Sequence, residues 1–288
     1  MNRTALKAAA RESLRAAEES PKKLTLYYLL CINVPMLLYN LLDLYVLQAG
    51  GGGLSGLSTR NLYSSISSLL LLLLTVASSI WTYHYYYYCL RLSRKQSASF
   101  HTFLEPFSMA GRVLLTIVLT YFRILLAVFI PCLIVSSFIF FVENLNLLIL
   151  ALFITAIIPF FVMFYRCRLA PYILFDQNCS ASEAIRASIR LTYGHKGQLF
   201  LLDLSFFWYF LLLALPSIPG MLAIYGITLI PQQWALAFDL VALLIQLVLQ
   251  ALLMPYVETT RAHAYNWILE RNRPSGASDQ QPPPVYLP

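Results

Sequence analysis

Long apolar runs separated by short polar segments dominate this chain. Six of them reach the roughly 17 to 25 residues that an α-helix needs to cross a bilayer: about Leu24 to Leu47, Ile66 to Tyr88, Val113 to Phe141, Leu147 to Tyr165, Leu199 to Leu215 and Ala235 to Met254. None alternates with the period of two that a strand would show, so the pattern predicts an all-α, six-span transmembrane helical bundle over residues 24–272. The stretch from Ser217 to Ile230 is also apolar, but Pro216, Pro219, Gly220 and Pro231 interrupt or bracket it. It reads as a surface or re-entrant loop.

The polar segments between the spans carry a different period. In residues 1–23, Leu6, Ala10, Leu14 and Ala17 oppose Lys7, Arg11 and Arg15, and Pro21 closes the segment before span one. Phe100, Phe103, Leu104 and Phe107 recur at helical spacing after span two, ahead of Gly111. After span four, Ala181, Ile185 and Ile189 oppose Glu183, Arg186 and Arg190; Ser180 with Glu183 fits a capping box, and Gly194 stands where a C-terminal cap belongs. The echo of Cys89-Leu-Arg91-Leu and Ser97-Ala-Ser99 in Arg166-Cys-Arg168-Leu and Ser180-Ala-Ser182 suggests three units of one interfacial amphipathic helix plus one hairpin. Each unit holds two spans, so the repeat would be parallel. Residues 273–288 are polar, Pro-rich and aperiodic, the composition of a disordered tail.

Composition sharpens the membrane reading: 59% of the 288 residues are apolar and 11% charged, against about 25% charged in an ordinary globular protein. The net charge of +7 is parcelled between apolar segments and gathers on no soluble module, which argues against nucleic acid as a partner. Lys and Arg number six before span one, then one, four, none, five, none and three after successive spans. Alternate segments are thus basic, and the opposite face carries Arg60 alone; the positive-inside rule makes both termini cytoplasmic. The five cysteines, Cys31, Cys89, Cys132, Cys167 and Cys179, form no CxxC pair, so neither a disulfide framework nor a zinc ribbon is indicated.

The residues from Ala170-Pro-Tyr-Ile-Leu174 and Asp176, through Ser182-Glu-Ala-Ile185, Ser188, Leu191 and Gly194-His-Lys196, to Leu199, Phe200, Asp203-Leu-Ser-Phe206 and Trp208 resemble a family of bacterial integral membrane proteins known as domain of unknown function 975. Met1-Asn-Arg3 with Leu6 and Lys7 resembles the family's start, and Pro255-Tyr256 with Thr259, Ala262 and Tyr265 its end. The resemblance implies a polytopic protein of the bacterial plasma membrane and carries no activity with it. His263-Ala264 departs from the family's pattern, and the segment between Trp208 and Pro255 is longer than usual.

Three groups of residues are candidates for chemistry. Arg123 falls about 18 Å along span three at 1.5 Å per residue from Gly111, and Asp239 about 22 Å from the Met254 end of span six. A charge inside a membrane calls for a partner, so the two would pair if their spans are neighbours, with Gln246 and Gln250 on the same stripe as Asp239, and Asn33 and Asn40 in a second stripe on span one. The choice lies between a polar path for a solute or ion and hydrogen bonding that holds the bundle. Arg186, Arg190, His195 and Lys196 form a second group, suited to an anionic headgroup; the plain alternative for Lys196 is snorkelling. The third, Tyr83-His-Tyr-Tyr-Tyr-Tyr88, reads as an aromatic belt at a membrane interface.

No P-loop, HExxH or GxSxG pattern occurs, nor any spacing typical of metal or cofactor ligands. The sequence therefore favours a non-enzymatic membrane module that binds anionic lipid, a partner protein or further copies of itself, over a small-molecule or ion transporter.

Overall fold

A computed structural model describes residues 1–50, 57–99, 109–137, 145–224 and 231–272. The amphipathic stretch expected at Phe100 to Phe107 and the Pro-rich tail lie outside the described residues. The rest is helical, with no strand among the described residues: α1 Arg3–Arg15, α2 Pro21–Gly50, α3 Leu57–Ser93, α4 Ala110–Ser136, α5 Leu145–Cys167, α6 Ala170–Asp176, α7 Ala181–Leu191, α8 Lys196–Leu204, α9 Phe207–Ala214, α10 Ile218–Ile224 and α11 Gln232–Arg271.

Among the described residues five helices are long and apolar enough to cross a membrane, or six if two helices meeting at 51°, Lys196–Leu204 and Phe207–Leu222, make one broken span. Their outward faces carry large side chains in the open, Leu69 to Leu73 on α3 and Phe122, Leu125, Phe129 and Ile130 on α4 among them. Apolar surface of this extent suits lipid far better than water. In lipid every backbone group must be satisfied within the segment, and helices achieve that. Pro35, Pro131, Pro159 and Pro255 sit inside four of the long helices, a tolerance found where neighbouring helices support the freed carbonyls. Pro21, by contrast, begins α2, where its missing N–H is one of the unpaired donors in any case.

The chain divides into two compact units: Met1–Ala9, Phe107–Ser205 and Thr260–Pro288 form the first, Ala10–Pro106 and Phe206–Thr259 the second. In the first, α4 and α5 form a hairpin, α7 packs on both and on α6, and α8 packs on α5. Cys167, Ala170 and Ile185 make a buried cluster with Leu119, Met163 and Ile189 against it. In the second, α2 and α3 form a hairpin stitched at one end by Tyr28 stacked on Tyr85 at 4.6 Å and by the Thr25 and Tyr85 hydroxyls, 3.0 Å apart. Near the other end Tyr63 Oη donates to Asp43 Oδ1 at 2.8 Å.

Span five differs most from its expectation. The helix breaks between α8 and α9, and beyond α9 it continues as a 3-10 turn, Leu215–Ser217, into α10. The supposed loop from Ser217 thus begins as helix, with Pro216 in the first turn of the 3-10 segment, where a proline costs no hydrogen bond; residues 225–230 lie outside the description. The break has local causes. Ser205 Oγ donates to the Leu202 carbonyl at 2.6 Å, a side-chain bond that bends helices. Arg3 Nη1 and Lys7 Nζ of α1 then donate to the carbonyls of Leu201 and Ser205, at 3.4 and 3.1 Å. Cations at a helix C-terminus satisfy its orphan carbonyls and its dipole together.

The tyrosine run is not a lipid-facing belt. His84, Tyr85, Tyr87 and Tyr88 are buried, because α3 extends to Ser93 and carries the run into the protein, where Tyr85 finds Tyr28 and Thr25.

Candidate functional site

The family-like residues Ala170 to Leu174 are all buried in α6, as is Phe175 beside them. Tyr172 stacks on Tyr265 of α11 at 5.5 Å, and the Tyr265 hydroxyl donates to Asp176 Oδ2 at 2.7 Å. Ser188 of α7 ties the neighbouring turn: its Oγ donates to the Arg166 carbonyl at 2.7 Å and accepts from the Leu169 N–H at 3.2 Å. This motif is architecture, a platform on which α7 rests.

On that platform α7 buries Ala181, Ala184, Ile185 and Ser188. Its start is the capping box read from the sequence: Glu183 N–H donates to Ser180 Oγ, and Ser180 N–H to Glu183 Oε2. Those bonds from Ser180 hold the Glu183 carboxyl below its ordinary range. Gly194 takes φ +78°, a left-handed conformation, as the helix stop requires. Arg186 and Arg190 are exposed on the opposite face, and Tyr193, at 78% exposure, extends that face by a further turn. His195 and Lys196 are half-buried; His195 Nδ1 lies 3.3 Å from Gln198 Oε1 and its ring meets Trp267 edge-on. α8 adds Phe200, Leu201 and Leu204 as exposed apolar neighbours. Of the four residues singled out in the sequence, all in the first unit, Arg186 and Arg190 are open and His195 and Lys196 partly buried.

The first unit also holds an ion pair that the sequence did not single out. Arg261 Nε donates to Asp203 Oδ1 at 2.8 Å, with the two side chains 14% and 15% exposed, and Tyr165 Oη donates to Asp203 Oδ2 at 3.1 Å. The cavity at this pair measures about 10 Å3, room for one water at most. It joins α5, α8 and α11 and admits no ligand.

Arg123 belongs to the first unit, is half-buried and lies within electrostatic reach of the Cys167 thiol at the end of α5. Asp239 belongs to the second unit and is exposed; Gln246 and Gln250 are half-buried on the same helix.

The second unit holds a larger cavity, about 420 Å3, lined from α2, α3, α9 and α11. Asn33 and Gln250, one from each of the two polar stripes, meet in its wall, whereas Asp239 and Gln246 do not line it. Glu258 does, at 5% exposure, and so does Thr82, whose Oγ1 lies 3.1 Å from the Tyr28 hydroxyl. Among the described residues no group of three or more His, Cys, Asp or Glu side chains converges as metal ligands would.

Together these features define an all-α protein with five or six apolar helices fit for a multi-pass membrane protein. The chain belongs to the family described as protein of unknown function DUF975, whose model matches residues 1–272. Comparison with curated proteins and with solved structures gives no match.

Proposed function

We propose that the protein is a non-enzymatic module of the bacterial plasma membrane, with both termini cytoplasmic, whose cytoplasmic surface binds anionic lipid headgroups through α7 and the start of α8. The observation that carries this reading is the division of α7: its apolar face is spent on the protein's own core, and Arg186, Arg190 and Tyr193 are left outward beside Lys196. Each basic residue near an anionic surface contributes about 1 kcal/mol, and an amphipathic ring such as that of Tyr193 suits the headgroup layer. The parcelling of Lys and Arg onto alternate segments supports the orientation.

The test uses the full chain purified in mixed micelles of phosphatidylglycerol and phosphatidylcholine, with retained lipid read by native mass spectrometry. The wild type should retain phosphatidylglycerol preferentially, and Arg186→Glu with Arg190→Glu should remove most of that preference. Equal retention of the two lipids by the wild type overturns the reading.

A further inference from the structure

Two amides of the second unit stand in its large cavity with hydrogen-bonding capacity left over. Asn33 of α2 and Gln250 of α11 lie within helices fit to cross a membrane and are half-buried; both line the space of about 420 Å3. Asn33 Nδ2 donates to the Leu29 carbonyl at 2.8 Å, and its Oδ1 accepts nothing among the described residues. The Gln250 side chain makes no hydrogen bond among them at all. Two hydroxyls of the wall have committed their protons: Ser78 Oγ donates to the Thr75 carbonyl at 2.9 Å and Thr82 Oγ1 to the Ser78 carbonyl at 2.8 Å. Glu258, in the same wall, is already engaged within the protein. What stays open is therefore neutral, and by the capacity of each group it holds more acceptor sites than donors.

We propose that this cavity binds a neutral lipid with free hydroxyls, of the monoacylglycerol class, its head bonded to Asn33 and Gln250 and its chain against apolar wall residues such as Leu213 and Leu253. The volume falls within the about 300–1,000 Å3 of small-molecule sites, which combine a mostly apolar lining with a few placed polar groups. A hydroxyl suits those groups because one atom both donates and accepts, as each amide does. An ether or ester head brings acceptors alone and leaves the open carbonyl oxygens unmatched. An alkyl chain leaves every open group unmatched, and a polar group without a partner is costly in an apolar setting.

The probe is a monoacylglycerol with a diazirine in its acyl chain, added to the full chain in nanodiscs of phosphatidylcholine, a lipid without a hydrogen-bond donor. Cross-linked residues are read by peptide mass spectrometry. Expected is saturable labelling of the cavity segments of α2, α9 and α11, competed by monoolein. The dimethyl ether of monoolein, of similar shape but without hydroxyl protons, should compete about fivefold less well, the scale of one net hydrogen bond. Asn33→Leu and Gln250→Leu, close in size to the residues they replace, should each weaken probe affinity by about the same factor. Gln246→Leu, on the same helix but outside the wall, should label as the wild type does. Leu213→Trp, which fills the cavity, should abolish labelling.

Labelling that does not saturate, or an affinity unchanged in either amide variant, overturns the proposal. Equal competition by the dimethyl ether overturns it in favour of a purely apolar occupant. Stronger competition by lysophosphatidylglycerol, which carries the same two hydroxyls on a phosphate, overturns it in favour of an anionic one. Should the variants fail to elute as folded species, the ether comparison on the wild type decides alone. The double change at Arg186 and Arg190 lies in the other unit and should leave probe labelling intact, so this proposal and the lipid-headgroup reading fail separately.

Discussion

Asp203 and Arg261, 58 residues apart in sequence, are joined at 2.8 Å with both side chains about one-seventh exposed. At that burial each charge depends on the other, because removing one member strands its partner in a poorly hydrated place. Arg261→Met should therefore destabilise the protein by about 3 kcal/mol. The double change with Asp203→Leu should recover much of that. Thermal unfolding in detergent of the two singles and the double gives the coupling, and strictly additive losses would show that the pair contributes nothing as a pair.

Ser188→Ala tests the platform beneath α7. It deletes both bonds of the hydroxyl and leaves the buried Leu169 N–H without an acceptor, a loss of about 1–3 kcal/mol. Hydrogen exchange should speed up across residues 166–192 first, ahead of any change in α2 or α3. Uniform acceleration over the whole chain would deny Ser188 this local role.

The capping box has a pH signature. Glu183 has a carboxyl held below its ordinary range by bonds from Ser180, so its contribution is complete above the unfolded value of 4.5 and disappears as pH falls through the lower, folded value. Protection of the first-turn amides of α7, corrected for intrinsic exchange, should be flat from neutral pH down to about 5 and decline only in stronger acid. Glu183→Gln should remove that decline. Ser180→Ala should lower the protection at every pH, by about 1 kcal/mol as for other N-caps.

Orientation is tested by cysteines placed at Ser55 and at Gln177 in a background without native cysteine. In intact cells a membrane-impermeant maleimide should label only the first, as the basic segments require. Labelling at Gln177 would invert the topology.

The long helices were legible in the sequence because bilayer thickness imposes a length on them, and the α7 caps because Ser180, Glu183 and Gly194 are local signals. What escaped was decided by tertiary partners. Nothing near Ser205 in the sequence says that Arg3 and Lys7 will cap the carbonyls freed there, and a lone serine in an apolar run does not by itself announce a break. The tyrosine run looked like a belt because composition alone cannot tell a lipid boundary from a buried seam, and only Tyr28 and Thr25, on another helix, decide it. Asp203 stands in the sequence only as one of the family-like residues, and it takes Arg261, 58 residues on, to make it half of an ion pair. In the cavity, the Asn33 and Gln250 stripes were visible, but Glu258 lay past the expected end of span six. The helix does not stop at Pro255, so the carboxyl joins a wall that the span boundaries had excluded.

The way α7 is seated bears on membrane shape. A helix that wedges its apolar face between lipids prefers loosely packed, strongly curved bilayers, because packing defects make room for it. α7 has already committed Ala181, Ala184 and Ile185 to the protein interior and presents a surface of charge with one projecting tyrosine. Such a surface displaces little lipid, so under the headgroup binding proposed for it the attachment should track the density of negative headgroups and ignore the radius of the vesicle that carries them.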